Sequence, residues 1–364
     1  MSCEFGKMVR VSVFGQSHGA GIGVVISGLP AGESIDMERV LAFMRRRAPG
    51  GNLTTPRKEK DIPRIISGLV DDITCGAPLC AVIDNENIKS ADYDALRDKP
   101  RPMHADYPAH VKYGGYNDVR GGGHFSARLT AALCFAGAVC MQLLERRGIR
   151  LGAHLLSVEN ESDTPFDPLL DDPKVFDTLF ERRPPVLDEA AGDRMLAAIA
   201  RARDDMDSVG GVIELCAIGL PVGLGEPPFG GVENRLSQAL YAVPAVKAID
   251  FGAGHEAAYM RGSAHNDAYC MQDGRVVTKT NRHGGILGGL TTGMPLLLRC
   301  YIKPTPSIAR EQDTVSLKNK ENAVLSVQGR HDPCAALRAA PCVEAAAAIA
   351  LLDMYLEGKA YGLE

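Results

Sequence analysis

The chain has 364 residues, 45% of them apolar and 23% charged, which is enough to build a sizeable core and excludes a disordered or fibrous protein. Lys and Arg total 40 against 45 Asp and Glu, a net charge of -5, so the protein has no basic field for nucleic acid and any anion site is local. The 10 cysteines are scattered from Cys3 to Cys342 without a Cys-x-x-Cys pair, and no run reads as a signal peptide or membrane span; a reducing cytoplasm with no membrane contact is the expectation.

Apolar alternation predicts strands over residues 9–14 and 23–27, joined by the glycine-dense turn Gly15-Gln16-Ser17-His18-Gly19-Ala20-Gly21. Two readings stand for this turn: a tight bend with a solvent-facing histidine, or a backbone approach to an anion. Neither a Rossmann glycine fingerprint nor a P-loop is present. A helix is expected over 36–47, ending in Arg45-Arg46-Arg47 and running into a proline- and glycine-bearing segment. Those arginines either cap the helix dipole and stay solvated or meet a multiply charged, phosphorylated ligand.

The segment 99–123 is polar and glycine-rich, carrying Arg101-Pro102-Met103-His104-Ala105-Asp106-Tyr107 and ending in Gly121-Gly122-Gly123-His124-Phe125-Ser126-Ala127-Arg128. Three glycines before an N-cap serine suit an anion at the start of a helix expected over 126–147. The spacing of His104, His110 and His124 matches no metal-ligand pattern, so no metal is expected. A strand follows over 149–158, then an acidic stretch, 159–188, that retains Phe166, Leu169, Leu170, Phe176 and Leu179 and therefore does not separate two domains. The chain reads as one domain, 1–364.

Beyond it come a helix over 189–204, a strand over 211–218, a helix over 232–242, a strand over 246–251 and a strand over 294–302, with long polar segments over 250–290 and 304–334. Lys303-Pro304-Thr305-Pro306-Ser307 at a strand end reads as a phosphate contact or as a surface turn. Gly329-Arg330-His331-Asp332 offers acid–base chemistry or a surface ion-pair cluster. The last helix is expected over 341–356, with Pro341 in its first turn, Gly358 past its end and close packing at Ala345, Ala346, Ala347 and Ala348. The order of elements is that of a mixed α/β or α+β protein.

Taken in order, three pieces resemble the chorismate synthase family nearly end to end: Gly15-Gln16-Ser17-His18-Gly19, the 101–128 block quoted above, and Gly329-Arg330-His331-Asp332-Pro333-Cys334. The resemblance implies an α+β fold, a β-α-β sandwich with helices between antiparallel sheets, assembled as a homotetramer. It implies a carbon–oxygen lyase that eliminates phosphate in the anti-1,4 sense from 5-enolpyruvylshikimate 3-phosphate, with loss of a ring hydrogen. That elimination gives chorismate, the last common step of the shikimate pathway, and needs reduced FMN.

Carried over residue by residue, the family's catalytic positions fall on His18, His104, Asp332 and Ser17. Its flavin contacts fall on His124, Phe125, Ser126, Pro244, Ala245, Gly288, Lys303, Pro304, Thr305, Pro306, Ser307 and Arg330, and its substrate or NADP contacts on Arg47, Arg101 and Arg128. The chain departs from the family pattern near Asn52 and Leu53, where members commonly carry a second arginine, so contacts of that arginine are not carried over. With no dinucleotide fingerprint, the resemblance points to flavin reduced by an outside source, with NADPH as the alternative reductant.

Overall fold

The computed structural model describes residues 3–50, 53–54, 59–86, 96–327 and 332–363. Strands Arg10–Gly15 and Gly21–Ser27 form a hairpin in which one set of side chains, Val11, Ile22, Val24 and Ile26, points into the core, as a period of two requires. They sit in a first antiparallel sheet of five strands in the order Glu4–Phe5, Arg10–Gly15, Gly21–Ser27, Leu79–Asp84, Arg64–Ser67. A second antiparallel sheet runs Val246–Phe251, Leu296–Ile302, Gly211–Ile218, Arg150–Val158, Glu161–Ser162.

The helices are α1 (Met37–Arg47), α2 (Asp106–Lys112), α3 (Thr130–Glu145), α4 (Lys174–Glu181), α5 (Glu189–Asp204), α6 (Val232–Leu240), α7 (Gly262–His265) and α8 (Ala340–Ala360). α3 packs on the first sheet and α8 on the second, and the two helices pack on each other, giving the β-α-β sandwich. Both are apolar nearly all round, which is what a helix between two layers requires. At their crossing a methyl on Gly137 would stand 2.2 Å from the Ala345 Cβ, so the alanine run does mark close helix packing.

Charges on α8 tie the outer elements to this centre. The fully buried Asp353 carboxylate accepts backbone N–H groups from Lys7, Met8 and Val9 and pairs with Arg235 of α6. Glu344 pairs with Arg46 of α1 and accepts from the Ala153 N–H at 2.8 Å. On the outer side of the second sheet, α4 and the 159–188 stretch cover Cys216 and Leu297 with Phe166, Phe176 and Leu179. Beneath them the buried His154 lies between two carboxylates, its Nδ1 3.0 Å from Asp163 and its Nε2 3.1 Å from Glu214.

All six expected strands and all five expected helices are present within a few residues. Four expectations change. The polar segments hold regular structure: α2 lies in 99–123, and the hairpins Tyr269–Gln272/Arg275–Thr278 and Glu311–Ser316/Glu321–Ser326 lie in the later ones, stabilised by cross-strand pairing rather than apolar periodicity. Three further strands, Glu4–Phe5, Arg64–Ser67 and Leu79–Asp84, complete the first sheet. The last helix passes through Gly358, because Gly362 at φ 86° is the left-handed stop and Leu363 N–H closes back onto the Gly358 carbonyl at 2.9 Å. Finally, Ala127–Glu145 is by length and composition apolar enough to cross a membrane; 78% of its most apolar 18-residue stretch is buried.

Candidate active site

The turn Arg120–Phe125 places three consecutive glycines in the left-handed region, at φ 58°, 82° and 55°. It lies against the turn after strand Arg10–Gly15, where Ser17 N–H donates to the Gly123 carbonyl at 3.1 Å. A Cβ at Gly121 would stand 2.7 Å from Ser17 Oγ and from His18 Cδ2, while one at Gly122 would stand 3.4 Å from His104 Nε2. The buried Ser17 and His18 therefore meet the turn at Gly121, and His104 meets it at the next residue. Glycine is required here because these rings occupy the space a side chain would take.

His104 is held by charge. Its Nδ1 lies 2.6 Å from Asp106 Oδ1, and Arg101 grips the same carboxylate through Nε at 2.7 Å, Nη2 at 2.9 Å and its own backbone N–H at 3.1 Å. Arg101 Nη1 also donates to Ser307 Oγ at 3.1 Å, and Lys303 donates to the Met103 carbonyl, so the 303–307 segment is laced to 101–106. Burial opposes ionisation of Asp106, but the Arg101 hydrogen bonds and charge outweigh it and hold its carboxyl well below the usual range. Burial pushes His104 down; the Asp106 hydrogen bond opposes this, and the Arg101 and Lys303 charges reinforce it, leaving the ring below its ordinary value.

A second cluster lies at the end of α1. Arg47 and Arg128 are both buried, and Asp61 stands between them, accepting from Arg47 Nη2 at 2.5 Å on one oxygen and from Arg128 Nη1 on the other. Arg128 Nε donates to Asn85 at 3.0 Å, and the Glu59 carboxylate lies 3.8 Å from its Nη2. Asp61 holds this position at φ 49°, an uncommon backbone conformation for a residue with a side chain. Arg47 Nε is buried with no partner among the described residues. Asp332 joins this cluster through Arg338, which donates to Asp332 Oδ2 and to the Arg47 carbonyl, each at 2.8 Å. Of the three consecutive arginines, Arg45 is exposed, Arg46 enters the core pair with Glu344, and Arg47 pairs with the buried Asp61.

A cavity of about 510 Å³ adjoins the end of the glycine turn and Thr130, the acceptor of Arg47 Nη1; it is lined by His124, Phe125, Ser126 and Pro244 together with Phe5, Val11, Val13, Leu129, Leu133 and Ile349, and by none of His18, His104, Arg47 or Arg128. The rings of His124 and Phe125 lie 4.0 Å apart between centroids, tilted by 36°. Ala245, at φ 76°, accepts from Lys303 N–H at 2.9 Å, which brings the 244–245 and 303–307 segments together. Thr305 Oγ1 is buried with no partner among the described residues, and its carbonyl accepts from Ser208 Oγ at 2.7 Å. Pro304 and Pro306 fix the bend between these groups. Gly288 stands apart, at the tip of the hairpin Ile286–Leu287/Leu290–Thr291 beside the start of α6. Arg330 and Asn52 lie outside the described residues.

The residues that pattern reading passed over are the carboxylates Asp61 and Asp106 and the cation Arg338. Asp106 was legible as His-x-Asp, two residues after His104. Asp61 and Arg338 carry no local signal, since they act on groups 14 and 291 residues away in sequence.

Two imidazoles on one glycine turn, flanked by buried arginines and an aromatic-walled cavity, make a site for acid–base chemistry on a polyanionic small molecule. A model of the family described as Chorismate synthase matches residues 9–356. The chorismate synthase of Lancefieldella parvula is 46% identical, the alignment covering 97% of this chain and 96% of that one. The chorismate synthase of Korarchaeum cryptofilum is 45% identical, covering 96% of each. A crystal structure of chorismate synthase superposes with a TM-score of 0.74 at 25% identity, over 97% of this chain and 93% of that one. The chain belongs to the chorismate synthase family.

Proposed function

We propose that the protein is a lyase that forms chorismate from 5-enolpyruvylshikimate 3-phosphate by anti-1,4 elimination of phosphate, dependent on reduced FMN. The observation that carries this reading is the meeting of His18 and His104 on the glycine turn, in a chain matched to the family from residue 9 to residue 356.

The residues present fit both groups. The aromatic wall of His124 and Phe125, with Ser126 and Pro244, suits the flat flavin ring, and the unpartnered Thr305 Oγ1 with Lys303 and Ser307 suits its phosphate. Held there, reduced FMN would supply the electron density on which the elimination depends.

The chain's own residues bind, orient and move protons. Arg47 has an unspent donor at Nε, and with Arg128 it faces the substrate anions from a frame already fixed by Asp61. Asp61 between the two guanidinium groups and Glu59 beside Arg128 balance their charges before ligand arrives, so they are ordered without carrying uncompensated buried charge. His104 is poised as an acid. Its pKa is lowered in the ligand-free chain, and a phosphate dianion beside it favours the imidazolium, so proton uptake accompanies ligand binding. His18, buried on the other side of the turn with Ser17, is the second donor. Asp332, tethered to Arg338, is the acceptor on the α1 side.

The relatives' shared name supports the same substrate, and the reading extends to a homotetramer of one-domain chains in the cytoplasm that takes its reduced flavin from an outside reductant. The test is anaerobic: protein, chemically reduced FMN and 5-enolpyruvylshikimate 3-phosphate yield chorismate and phosphate in equal amounts, and omitting the flavin abolishes both. A folded protein that binds FMN and yields neither product refutes the reading. Adding NADPH with oxidised FMN then tests whether the chain reduces its own cofactor.

A further inference from the structure

We infer that Asp106, gripped by Arg101, is the positioning residue of His104. It commits Nδ1 to a single hydrogen bond and leaves Nε2, beside Gly122, as the atom that exchanges the proton. This rests on the reading of His104 as the site's acid and goes beyond it by assigning a second residue and a particular ring nitrogen.

The distances decide the tautomer. A bare Nδ1 at 2.6 Å from an ionised carboxylate oxygen would set lone pair against lone pair, so Nδ1 carries the hydrogen and donates it to Asp106. Arg101 Nη2, 3.0 Å from the same nitrogen, cannot then be bonded to it and is spent on Asp106 instead. Among the described residues Asp106 receives four donors: Nε, Nη2 and the backbone N–H of Arg101, and Nδ1 of His104. A carboxylate so held stays ionised and does not rotate away. Nε2, the other end of the ring, faces the Gly122 position at 3.4 Å.

Arg101 thus reaches the reaction through Asp106 and His104, with its remaining nitrogen on Ser307. Among the described residues, the charged groups around the ring are Asp106 and Arg101 from its own segment and Lys303 from the end of the strand Leu296–Ile302. The glycine turn opposite presents no side chain, and His18 lies one residue along it. Removing the carboxylate leaves the two cations and the burial unopposed, so the imidazolium is destabilised.

The experiment reads the ring directly. Nitrogen NMR of ligand-free protein with labelled histidine, assigned by loss of the His104→Ala signal, is recorded across pH for wild type, Asp106→Asn and Asp106→Glu. In wild type the neutral ring shows the Nδ1–H tautomer. In Asp106→Asn the titration midpoint falls by about one unit, the scale expected for losing an adjacent opposite charge. In the proposed reaction, kcat of that variant falls roughly a hundredfold, the lower range for a misplaced acid, while KM changes little. Asp106→Glu restores part of kcat. An Nε2–H tautomer in the wild-type ring overturns the assignment even if no variant folds. An unshifted midpoint in a folded Asp106→Asn protein overturns it as well. A wild-type protein with the expected tautomer and midpoint but no chorismate would instead refute the reaction and leave the positioning role standing.

Discussion

Asp61→Asn separates a frame that orders Arg47 and Arg128 from an incidental ion pair. Asparagine keeps the shape and tolerates the left-handed backbone at φ 49°, so the change removes charge with little added backbone strain. Among the described residues Asp61 is the carboxylate bonded to Arg47, whereas Arg128 keeps Asn85 and the Glu59 charge. Leaving a buried charge unpaired costs about 3–5 kcal/mol, and Glu59 places this case toward the lower end, about 3 kcal/mol. An unfolding entropy of about 2.1 cal/mol/K per residue over 364 residues turns that into a fall in Tm of about 4 °C.

The pH dependence follows from the same geometry. Burial pushes the Asp61 carboxyl up, but the Arg47 and Arg128 charges outweigh it and hold it below its ordinary value. A depressed carboxyl contributes its full stability above the unfolded value of about 3.9 and loses it as pH falls through the depressed one. Calorimetry or urea unfolding of both proteins at pH 7, 5, 4 and 3 tests this: the gap is constant at the upper values and narrows toward the lowest. Equal stability at pH 7, or a gap that does not change with acid, refutes the argument.

Other consequences follow from single contacts. Gly121→Ala places a methyl 2.7 Å from Ser17 Oγ and His18 Cδ2 on a backbone at φ 58°; a loss of turnover of tenfold or more is expected in a protein whose circular dichroism is unchanged, and wild-type turnover would contradict the placement of His18. Gly137→Ala overpacks the α3–α8 crossing and should lower stability by about 1–3 kcal/mol in urea unfolding, with no change expected in the His104 titration. Burial pushes His154 down, but Asp163 and Glu214 outweigh it and raise its pKa. A raised pKa contributes stability that is full below the unfolded value of about 6.5 and fades as pH rises through the folded one. The stability difference between wild type and His154→Gln should therefore be larger at pH 6 than at pH 9, measured by urea midpoints.

The layers were legible because their signals are local. The strand over 211–218 and the helix over 189–204 are set by residue periods that neighbouring side chains satisfy. The two polar hairpins were not, because Glu311–Ser316 and Glu321–Ser326 are held by each other's backbone rather than by an apolar face. At the site, the motifs located His18, His104 and the glycine turn, but not what holds them. Arg45-Arg46-Arg47 looks like one basic cluster, yet successive residues on a helix point about 100° apart. Their fates are settled by Glu344, 298 residues away from Arg46, and by Asp61, in a segment with no periodicity. Charge partners across such separations leave no mark on local pattern.

The central claim is that this site eliminates phosphate from 5-enolpyruvylshikimate 3-phosphate with reduced flavin beside it. The most direct measurement is a single anaerobic turnover, with enzyme in excess over substrate, quenched and analysed for chorismate and phosphate. The account predicts one chorismate and one phosphate per substrate in wild type with reduced FMN, and a severe loss of both in His104→Ala and Asp332→Ala proteins of unchanged fold. Wild-type turnover in either variant, or phosphate released without chorismate, would contradict it.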